Sequence, residues 1–293
     1  MNGVDGCIVL TPSLERAAWI DAIQAGARGT RWTVQDGADG PPPSEGDGHL
    51  VAVIVSDAVA ALALAPRNWA VITTGTVHAA LAAESQFQTP PGQGVWVASR
   101  LLAQACLPPC GATRLTDENR RLWSSPVELL PGLKISPPVP DQDEVAMSDA
   151  GLALDLYATG IPAIGATADW PTSLFSFDRR NDANPTNPAI QDLTGPPRIL
   201  VYGPYIALPP GVWRARIRFA VDSAAARHQY RLEWGDPGAF AEHRFTPGRA
   251  GFYALTIDFR WTAAAPSEVR LVLENGAIDG TLEFTGLTVI RIA

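Results

Sequence analysis

The sequence predicts a two-domain α+β protein, with an N-terminal Rossmann-like or flavodoxin-like α/β layer followed by a C-terminal antiparallel β-sandwich of the jelly-roll type. Three observations lead to this prediction. Short β-branched runs alternate with helical stretches in the first part of the chain, a segment rich in proline and acidic residues follows, and apolar–polar alternation fills the last hundred residues. These changes divide the chain into an α/β domain over residues 1–135, a linker over 136–145 and a β-sandwich over 146–293.

The first domain shows the strand–helix order of a parallel sheet. Four strands are predicted: Cys7–Leu10, Trp32–Val34, His49–Val55 and Trp69–Thr73. Helices are predicted after the first, third and fourth of these strands, from Leu14 to Gly26, over Ala58–Ala65 and over Thr76–Glu84. Because the connection between two parallel strands crosses over with a right-handed turn, this order predicts helices packed on a parallel sheet.

Small and polar residues follow these strands, at the edge where ligands of parallel sheets bind. They are Thr11, Pro12, Ser13, Gln35, Asp36, Ser56, Asp57, Thr73, Thr74 and Gly75. The sequence contains neither the glycine-rich dinucleotide fingerprint nor the phosphate-binding P-loop. Helix capping explains Ser13, Asp57 and Thr76 without a ligand, since their side-chain oxygens accept hydrogen bonds from the free amides of a helix start.

A second boundary lies at Ser136–Glu144, where three prolines run into three acidic residues. Proline removes backbone donors and like charges repel, so this composition is typical of a linker. Beyond it, Leu152, Leu154 and Leu156 alternate with less hydrophobic neighbours. This alternation predicts that the β domain opens here with a strand.

Seven stronger strands are predicted farther along, with turn residues between them. They are Ile199–Tyr202, Val212–Val221, His228–Trp234, Ala241–Phe245, Phe252–Trp261, Glu268–Glu274 and Thr281–Ile292. The apolar rows contain Trp213, Trp234 and Trp261, so we expect these tryptophans to pack in the core. The opposite rows mix arginines with acidic residues, which predicts a solvated, mutually neutralising face; a ligand surface is the alternative.

Residues 203–217 read GPYIALPPGVWRARI, which is a short strand, a Pro-Pro-Gly turn and an aromatic residue that opens an alternating strand. This run resembles the opening of β-sandwich domains of the carbohydrate-binding-module type, which in bacteria accompany glycosyltransferases and other surface-polysaccharide proteins. The resemblance covers about Leu193 to Ala293, a third of the chain. It implies a saccharide or surface polysaccharide as partner. The rest of the chain carries no glycosyltransferase signature, since its D-x-D sequence, Asp141-Gln142-Asp143, lies among the prolines of the linker.

The strongest candidate site is a polar cluster beside an aromatic residue. It consists of Trp170, Asp178, Arg179, Arg180, Asn181, Asp182 and Asn184. Saccharide sites pair an aromatic face, which stacks on the apolar face of a sugar ring, with planar polar groups that bind its hydroxyls. A cluster of this kind in a loop has no role in secondary structure. Arginine–carboxylate pairs that staple a long loop would give the same pattern, so this alternative stays open.

Composition and charge exclude several classes of function. A net charge of −8 and a pI near 5.0 leave no basic surface for a nucleic-acid backbone. No run reaches the roughly 18 apolar residues of a membrane span. Cys7, Cys106 and Cys110 fit neither a disulfide framework nor a zinc site, and no cofactor or metal is expected. No signal peptide precedes Thr11, which predicts a cytoplasmic protein; export by a leaderless route stays open.

Three functions from different classes remain. The first is a non-catalytic glycan-recognition or polysaccharide-associated protein, which the resemblance favours. The second is a sugar-active transferase or hydrolase, with Asp36, Asp57 or Thr74 at the strand ends of the α/β domain. The third is a structural or assembly protein that binds a protein partner through the sandwich face. The histidines show no metal-site spacing and the nucleophile-elbow sequence is absent, which favours a protein without catalysis. The sequence leaves open the saccharide, calcium dependence, the oligomeric state and the role of the N-terminal domain.

Overall fold

A computed structural model describes residues 4–37, 49–119, 126–139, 148–178 and 187–293 of the chain. The chain forms two compact units, Met1–Pro162 and Ala163–Ala293, which we call the α/β unit and the β unit. No helix in the described ranges is long and apolar enough to cross a membrane.

The α/β unit is built on a five-stranded parallel sheet. Its strands are β1 (Gly6–Leu10), β2 (Trp32–Asp36), β3 (Leu50–Val55), β4 (Asn68–Thr73) and β5 (Thr113–Thr116). Its helices are α1 (Arg16–Ala27), α2 (Ala58–Ala63), α3 (Ala79–Phe87) and α4 (Gly94–Gln104), with a 3₁₀ turn over Thr76–His78 before α3. The order across the sheet is β2-β3-β1-β4-β5. This differs from the 3-2-1-4-5 order of Rossmann folds and from the 2-1-3-4-5 order of flavodoxin-like folds.

Apolar side chains cover both faces of this sheet. On one face Trp19 and Ile23 of α1 pack against the strands, together with the hairpin β6 (Val127–Leu130) and β7 (Leu133–Ile135). On the other face, Ala58 and Ala61 of α2 pack near Cys7. Burial raises the pKa of the Cys7 thiol to about 12, so this cysteine is a neutral core residue. Cys106 is half-buried and Cys110 exposed, and all three cysteines are free thiols.

The strand predicted at Leu152, Leu154 and Leu156 is wrong. This segment forms helix α5 (Asp149–Leu154) and a 3₁₀ turn over Asp155–Tyr157. The Ser148 side chain accepts a hydrogen bond from the Gly151 amide at 3.0 Å, which caps the first turn of the helix. Residues 148–162 therefore belong to the α/β unit, and the boundary between the units falls after Pro162 rather than near residue 146. Of the predicted linker, residues 140–145 lie outside the described residues.

The β unit contains two five-stranded antiparallel sheets. Its strands are β8 (Thr167–Trp170), β9 (Ser176–Phe177), β10 (Ile190–Asp192), β11 (Arg198–Leu208), β12 (Gly211–Val221), β13 (Tyr230–Asp236), β14 (Ala239–Phe245), β15 (Gly251–Trp261), β16 (Ala265–Leu273) and β17 (Thr281–Arg291). One sheet has the order β10-β17-β12-β15, with β8 also paired to β17; the other has the order β14-β13-β16-β11-β9. The predicted antiparallel, strand-rich C-terminal region is confirmed.

Tryptophans form the centre of the core between these two sheets. Trp213, Trp234 and Trp261 are at most 2 % exposed. The ring of Trp234 lies 5.0 Å from that of Trp261 on the facing sheet, between ring centroids, and 6.2 Å from that of Trp170. The Trp234–Trp261 contact is edge-to-face, and contacts of that kind add to the free energy gained by burying the rings. The prediction that these tryptophans pack in the core is confirmed.

The outer rows of both sheets carry ion pairs. Arg214 and Asp258 are joined by two hydrogen bonds, of 2.7 and 2.9 Å, on one sheet. On the other sheet Arg231 lies 2.8 Å from Glu233 and Arg244 lies 3.0 Å from Glu274. These side chains neutralise one another across and along the strands, as the alternating charges predict.

Candidate functional site

An open cleft of about 840 Å³ lies at the end of the second sheet, where β9, β11 and β16 run side by side. It is lined by Thr172, Ser173, Phe175, Ser176, Phe177, Asp178, Pro188, Pro197, Arg198, Ile199, Tyr202, Tyr205, Glu268 and Arg270. We call it the tyrosine cleft. All of its walls belong to the β unit.

Two half-buried tyrosines stand on β11 in this cleft. Tyr202 is paired with Arg270 of β16 on one side and with Ser176 of β9 on the other. The register between β11 and β16 then shifts between Pro204 and Ala207, as at a β-bulge. Tyr205 lies within this irregularity with a φ of +65°, in the left-handed region that residues other than glycine seldom adopt. Bulges commonly redirect side chains beside functional sites, and this one accompanies a second tyrosine in the cleft.

A buried carboxylate connects Tyr205 to an arginine. Glu268 is only 3 % exposed, and its Oε1 accepts a hydrogen bond from the Tyr205 hydroxyl at 3.0 Å. Arg270 donates to both oxygens of Glu268, with distances of 2.9 and 2.8 Å. The Arg270 guanidinium also lies 4.4 Å from the ring centroid of Phe240 and 3.6 Å from a Glu233 oxygen. A paired, planar carboxylate–guanidinium unit is therefore held rigidly in the wall of the cleft.

Electrostatics keep Tyr205 protonated. Its pKa is raised to about 12, first by burial and then by its hydrogen bond to the Glu268 carboxylate. The pKa of Arg270 is also raised, chiefly by its hydrogen bonds to Glu268. The Tyr205 phenol therefore stays neutral well into the alkaline range, beside a mutually neutralised ion pair.

A second arginine–carboxylate pair fixes the loops behind the cleft. Arg198 is 7 % exposed and donates from Nε to Asp178 Oδ2. Its other nitrogens donate to the carbonyls of Leu193 at 3.1 Å, Pro196 at 3.1 Å and Asp192 at 2.6 Å. One buried guanidinium is thus hydrogen-bonded to four residues in the loops around it. A buried arginine–carboxylate pair that holds a long loop in place is the alternative that the sequence left open.

Of the site residues predicted from the sequence, two lie in the described ranges, and they occupy different environments. Asp178 lines the cleft, but Trp170 is 0 % exposed and is absent from the cleft lining, so the expectation that Trp170 stacks on a ligand is wrong. The physical reason is register: Trp170 pairs with Leu287 on β17, which directs the indole into the core. The remaining predicted residues, Arg179, Arg180, Asn181, Asp182 and Asn184, lie outside the described residues.

Sequence reasoning missed Tyr202, Tyr205 and the role of Glu268. The sequence feature that could have revealed the two tyrosines is local to β11. Gly203-Pro204 interrupts the alternation of β11, and the two tyrosines stand three positions apart across that interruption, where strict alternation would place them on opposite faces. The register shift returns both to the same cleft.

The strand ends of the α/β unit, which we call the strand-end edge, carry polar groups that pair with one another. Arg16 lies 3.3 Å from Asp36 and donates to Ser56 Oγ at 3.1 Å. Trp19 Nε1 donates to Thr74 Oγ1 at 3.2 Å. Three of the predicted strand-end residues are therefore engaged inside the unit.

Two aspartates perform capping at the same edge. Asp57 accepts hydrogen bonds from the amides of Val59 and Ala60, at 2.9 and 3.1 Å, which confirms its predicted role at the start of α2. Asp117 accepts from the amides of Gly75 and Thr76, at 2.9 and 3.2 Å. A carboxylate of the chain itself thus satisfies the free amides at the start of the Thr76–His78 turn. Across the described ranges, no group of three or more metal-ligating side chains could hold a metal ion.

Comparisons with known proteins return structures only. No family model matches the chain, and no curated protein matches it. Among solved structures, TmCBM61 in complex with β-1,4-galactotriose is 10% identical over 46% of this chain and 93% of its own, with a TM-score of 0.28. A family 16 carbohydrate binding module is 11% identical over 34% of this chain and 74% of its own, with a TM-score of 0.25.

An enzyme also appears among the matches. The acetyl xylan esterase Est2A from the rumen bacterium Butyrivibrio proteoclasticus is 18% identical over 43% of this chain and 32% of its own, with a TM-score of 0.23. All three TM-scores are well below 0.5.

Proposed function

We propose that this protein recognises a saccharide without catalysis, as a polysaccharide-associated factor, and that the tyrosine cleft of its β-sandwich, which we interpret as a jelly roll, is the binding site. One observation carries the proposal: Tyr202 and Tyr205 stand half-buried in the cleft beside the rigid Glu268–Arg270 pair. A volume of about 840 Å³ lies within the usual range of small-ligand sites, about 300–1,000 Å³.

The chemistry of the lining matches that of a sugar. A pyranose ring has an apolar face of C–H groups and a rim of hydroxyls, and the cleft offers phenol rings for the first and planar polar groups for the second. The Arg270 side chain is 31 % exposed and its guanidinium has N–H groups beyond those bonded to Glu268, so it can donate to a ligand hydroxyl. The hydroxyls of Ser176 and Tyr202 add donors and acceptors at the same wall.

The balance of charge favours a neutral saccharide. Both acidic residues in the lining are paired with an arginine, Asp178 with Arg198 and Glu268 with Arg270. A charged ligand would find no surplus opposite charge and would disturb an existing pair, whereas hydroxyl groups bind without displacing either partner. We therefore expect uncharged glycans to bind better than uronic-acid or sulfated ones.

Affinity electrophoresis in native gels tests the proposal. The full chain is run in gels that contain galactan, xylan, mannan, β-glucan or a polyuronate, beside the variants Tyr202→Ala and Tyr205→Ala. We expect retardation in at least one neutral polysaccharide and a loss of about tenfold or more in affinity for each tyrosine variant, equivalent to about 1.4 kcal/mol. Phe87→Ala removes a 41 % exposed aromatic ring from the α/β unit and serves as the matched control. Retardation of the wild type that both tyrosine variants retain in full would contradict the proposal.

A further inference from the structure

We propose that strand β15 pairs edge to edge with β15 of a second copy of this chain, antiparallel and centred on Thr256, so that two copies share one continuous sheet. This inference is independent of the proposed function. It concerns the opposite edge of the β unit, on the sheet that does not contain the tyrosine cleft.

The first support is the backbone of β15. Its eleven residues pair with β12 in continuous register, from Gly251↔Val221 to Trp261↔Gly211, without a bulge. Among the described residues its other side forms no strand pair and no backbone hydrogen bond. Natural edge strands of this length are normally protected by charged side chains, proline, a bulge or a short span. β15 has no proline, no bulge and full length, and of its two charged residues Asp258 is already paired with Arg214 of β12. Its outward amides and carbonyls are therefore available for another strand.

The second support is the exposure of apolar side chains on this strand. Phe252, on the outer row, is 84 % exposed. On the inner row Tyr253, Leu255 and Phe259 remain partly exposed although they point toward the core side of the sheet. A neighbouring strand added at this edge would cover part of these rings.

The third support is that β15 is complementary to itself, which identifies a second copy of the chain as the partner. A two-fold axis normal to the sheet keeps outer residues opposite outer residues, so each register is centred on one residue. Centred on Thr256, Phe252 faces Arg260 of the second copy, and Ala254 faces Asp258 of the second copy. Nine residues of each strand then pair without like charges opposite one another.

The Thr256 register is the one that sets Phe252 directly opposite Arg260, and charge excludes two of the alternative registers. Centring on Asp258 or on Arg260 places two like charges directly opposite, which destabilises antiparallel pairs. In the Thr256 register Arg260, which makes no ion pair within the described ranges, can place its guanidinium on the exposed Phe252 ring as a cation–π contact. The two-fold axis gives this contact twice. The second copy is therefore the partner that fits this edge.

Sedimentation velocity over a concentration series, with two opposite substitutions at one exposed site, tests the proposal. Phe252→Arg places a cation opposite Arg260 of the second copy and is expected to weaken self-association by about tenfold, whereas Phe252→Glu places a carboxylate there and is expected to maintain it. Within its own chain, position 252 faces the neutral Ala220. Both variants should keep the far-UV circular dichroism of the wild type. A wild type that stays monomeric throughout, or a dimer that responds equally to both substitutions, would overturn the proposal.

Cysteine cross-linking tests the register directly. In a Cys110→Ser background, Thr256→Cys would lie opposite itself with Cα atoms about 4.5–5.5 Å apart, within the range of a disulfide. Ala254→Cys is the control, because four residues of strand separate the two copies of that position by about 13 Å. Efficient cross-linking of Thr256→Cys alone supports the proposal. Equal cross-linking of both variants, or of neither, contradicts it.

Discussion

The strand-end edge of the α/β unit and the tyrosine cleft of the β unit both contain polar residues suited to binding. At the strand-end edge these side chains are paired with one another, whereas in the tyrosine cleft they line an open volume. At the strand-end edge Asp36 pairs with Arg16, Thr74 accepts from Trp19, and Asp117 fills the amide-lined helix start. In the tyrosine cleft two aromatic rings and several hydroxyls line an open volume of about 840 Å³. The comparison teaches that residue type at an expected position does not make a site; an unfilled volume beside those residues does.

The energetic reason lies in what a ligand would replace. A hydrogen bond already made inside the chain must be broken before a ligand can use the same group, so the net gain is small. At the tyrosine cleft the ion pairs satisfy one another while the phenol rings stay half-exposed, so a ligand can bury apolar surface without displacing an existing partner.

The largest expected effect is on stability, and it distinguishes aromatic residues of the core from those of the cleft. Trp170→Ala removes a fully buried indole and should lower the free energy of unfolding by about 3–5 kcal/mol. Tyr202→Ala, at a half-buried position, should cost far less stability while it impairs saccharide binding. Urea unfolding followed by far-UV circular dichroism measures both. A Trp170→Ala variant that is as stable as the wild type but does not bind saccharide would show that Trp170 contacts the ligand.

A smaller effect is expected at the strand-end edge. Asp117→Ala removes the acceptor for the amides of Gly75 and Thr76 and should lower the free energy of unfolding by about 0.5–2 kcal/mol. Asp117→Asn keeps one acceptor oxygen and should lose less. Unchanged stability in Asp117→Ala would show that these hydrogen bonds contribute little to folding. The strand-end edge would then be an alternative ligand site to the tyrosine cleft.

A pH dependence of the free energy of unfolding is also expected from the cleft. The pKa of Tyr205 is raised to about 12, against about 10 in an unfolded chain. Between these values the unfolded chain loses the proton and the folded chain keeps it, so the free energy of unfolding should fall as pH rises from about 10 to about 12. Tyr205→Phe should show a shallower fall in urea midpoint over that window. Tyr230, whose pKa burial also raises, acts equally in both proteins. Identical slopes would contradict the assigned environment of Tyr205.

Much of the fold could be predicted from the sequence where local pattern and burial agree. The period of two in β12, with Trp213 inward and Arg214 outward, follows from packing one face of a strand, and the structure has that arrangement. The same pattern failed at Leu152–Leu156, because a cap at Ser148 favours a helix that the spacing of leucines does not reveal.

The site was harder to predict because it depends on irregular backbone. The sequence shows Tyr202 and Tyr205 on either side of Gly203-Pro204, but only the register shift places both beside the Glu268–Arg270 pair, which lies more than sixty positions farther along the chain. Likewise, the loop arginine staple was expected as an alternative, yet the arginine that forms it is Arg198, outside the predicted cluster. Long-range pairing of this kind is not encoded in spacing alone.

Backbone NMR of the ¹⁵N-labelled full chain, titrated with the neutral polysaccharide fragment that retards it most, tests the central claim most directly. Amide shifts report which of the two regions meets the ligand. The account predicts that the shifts concentrate at Ser176, Tyr202 and Glu268, while Ser56 and Gly75 stay unchanged. Shifts confined to Ser56, Gly75 and their neighbours at the strand-end edge would contradict it.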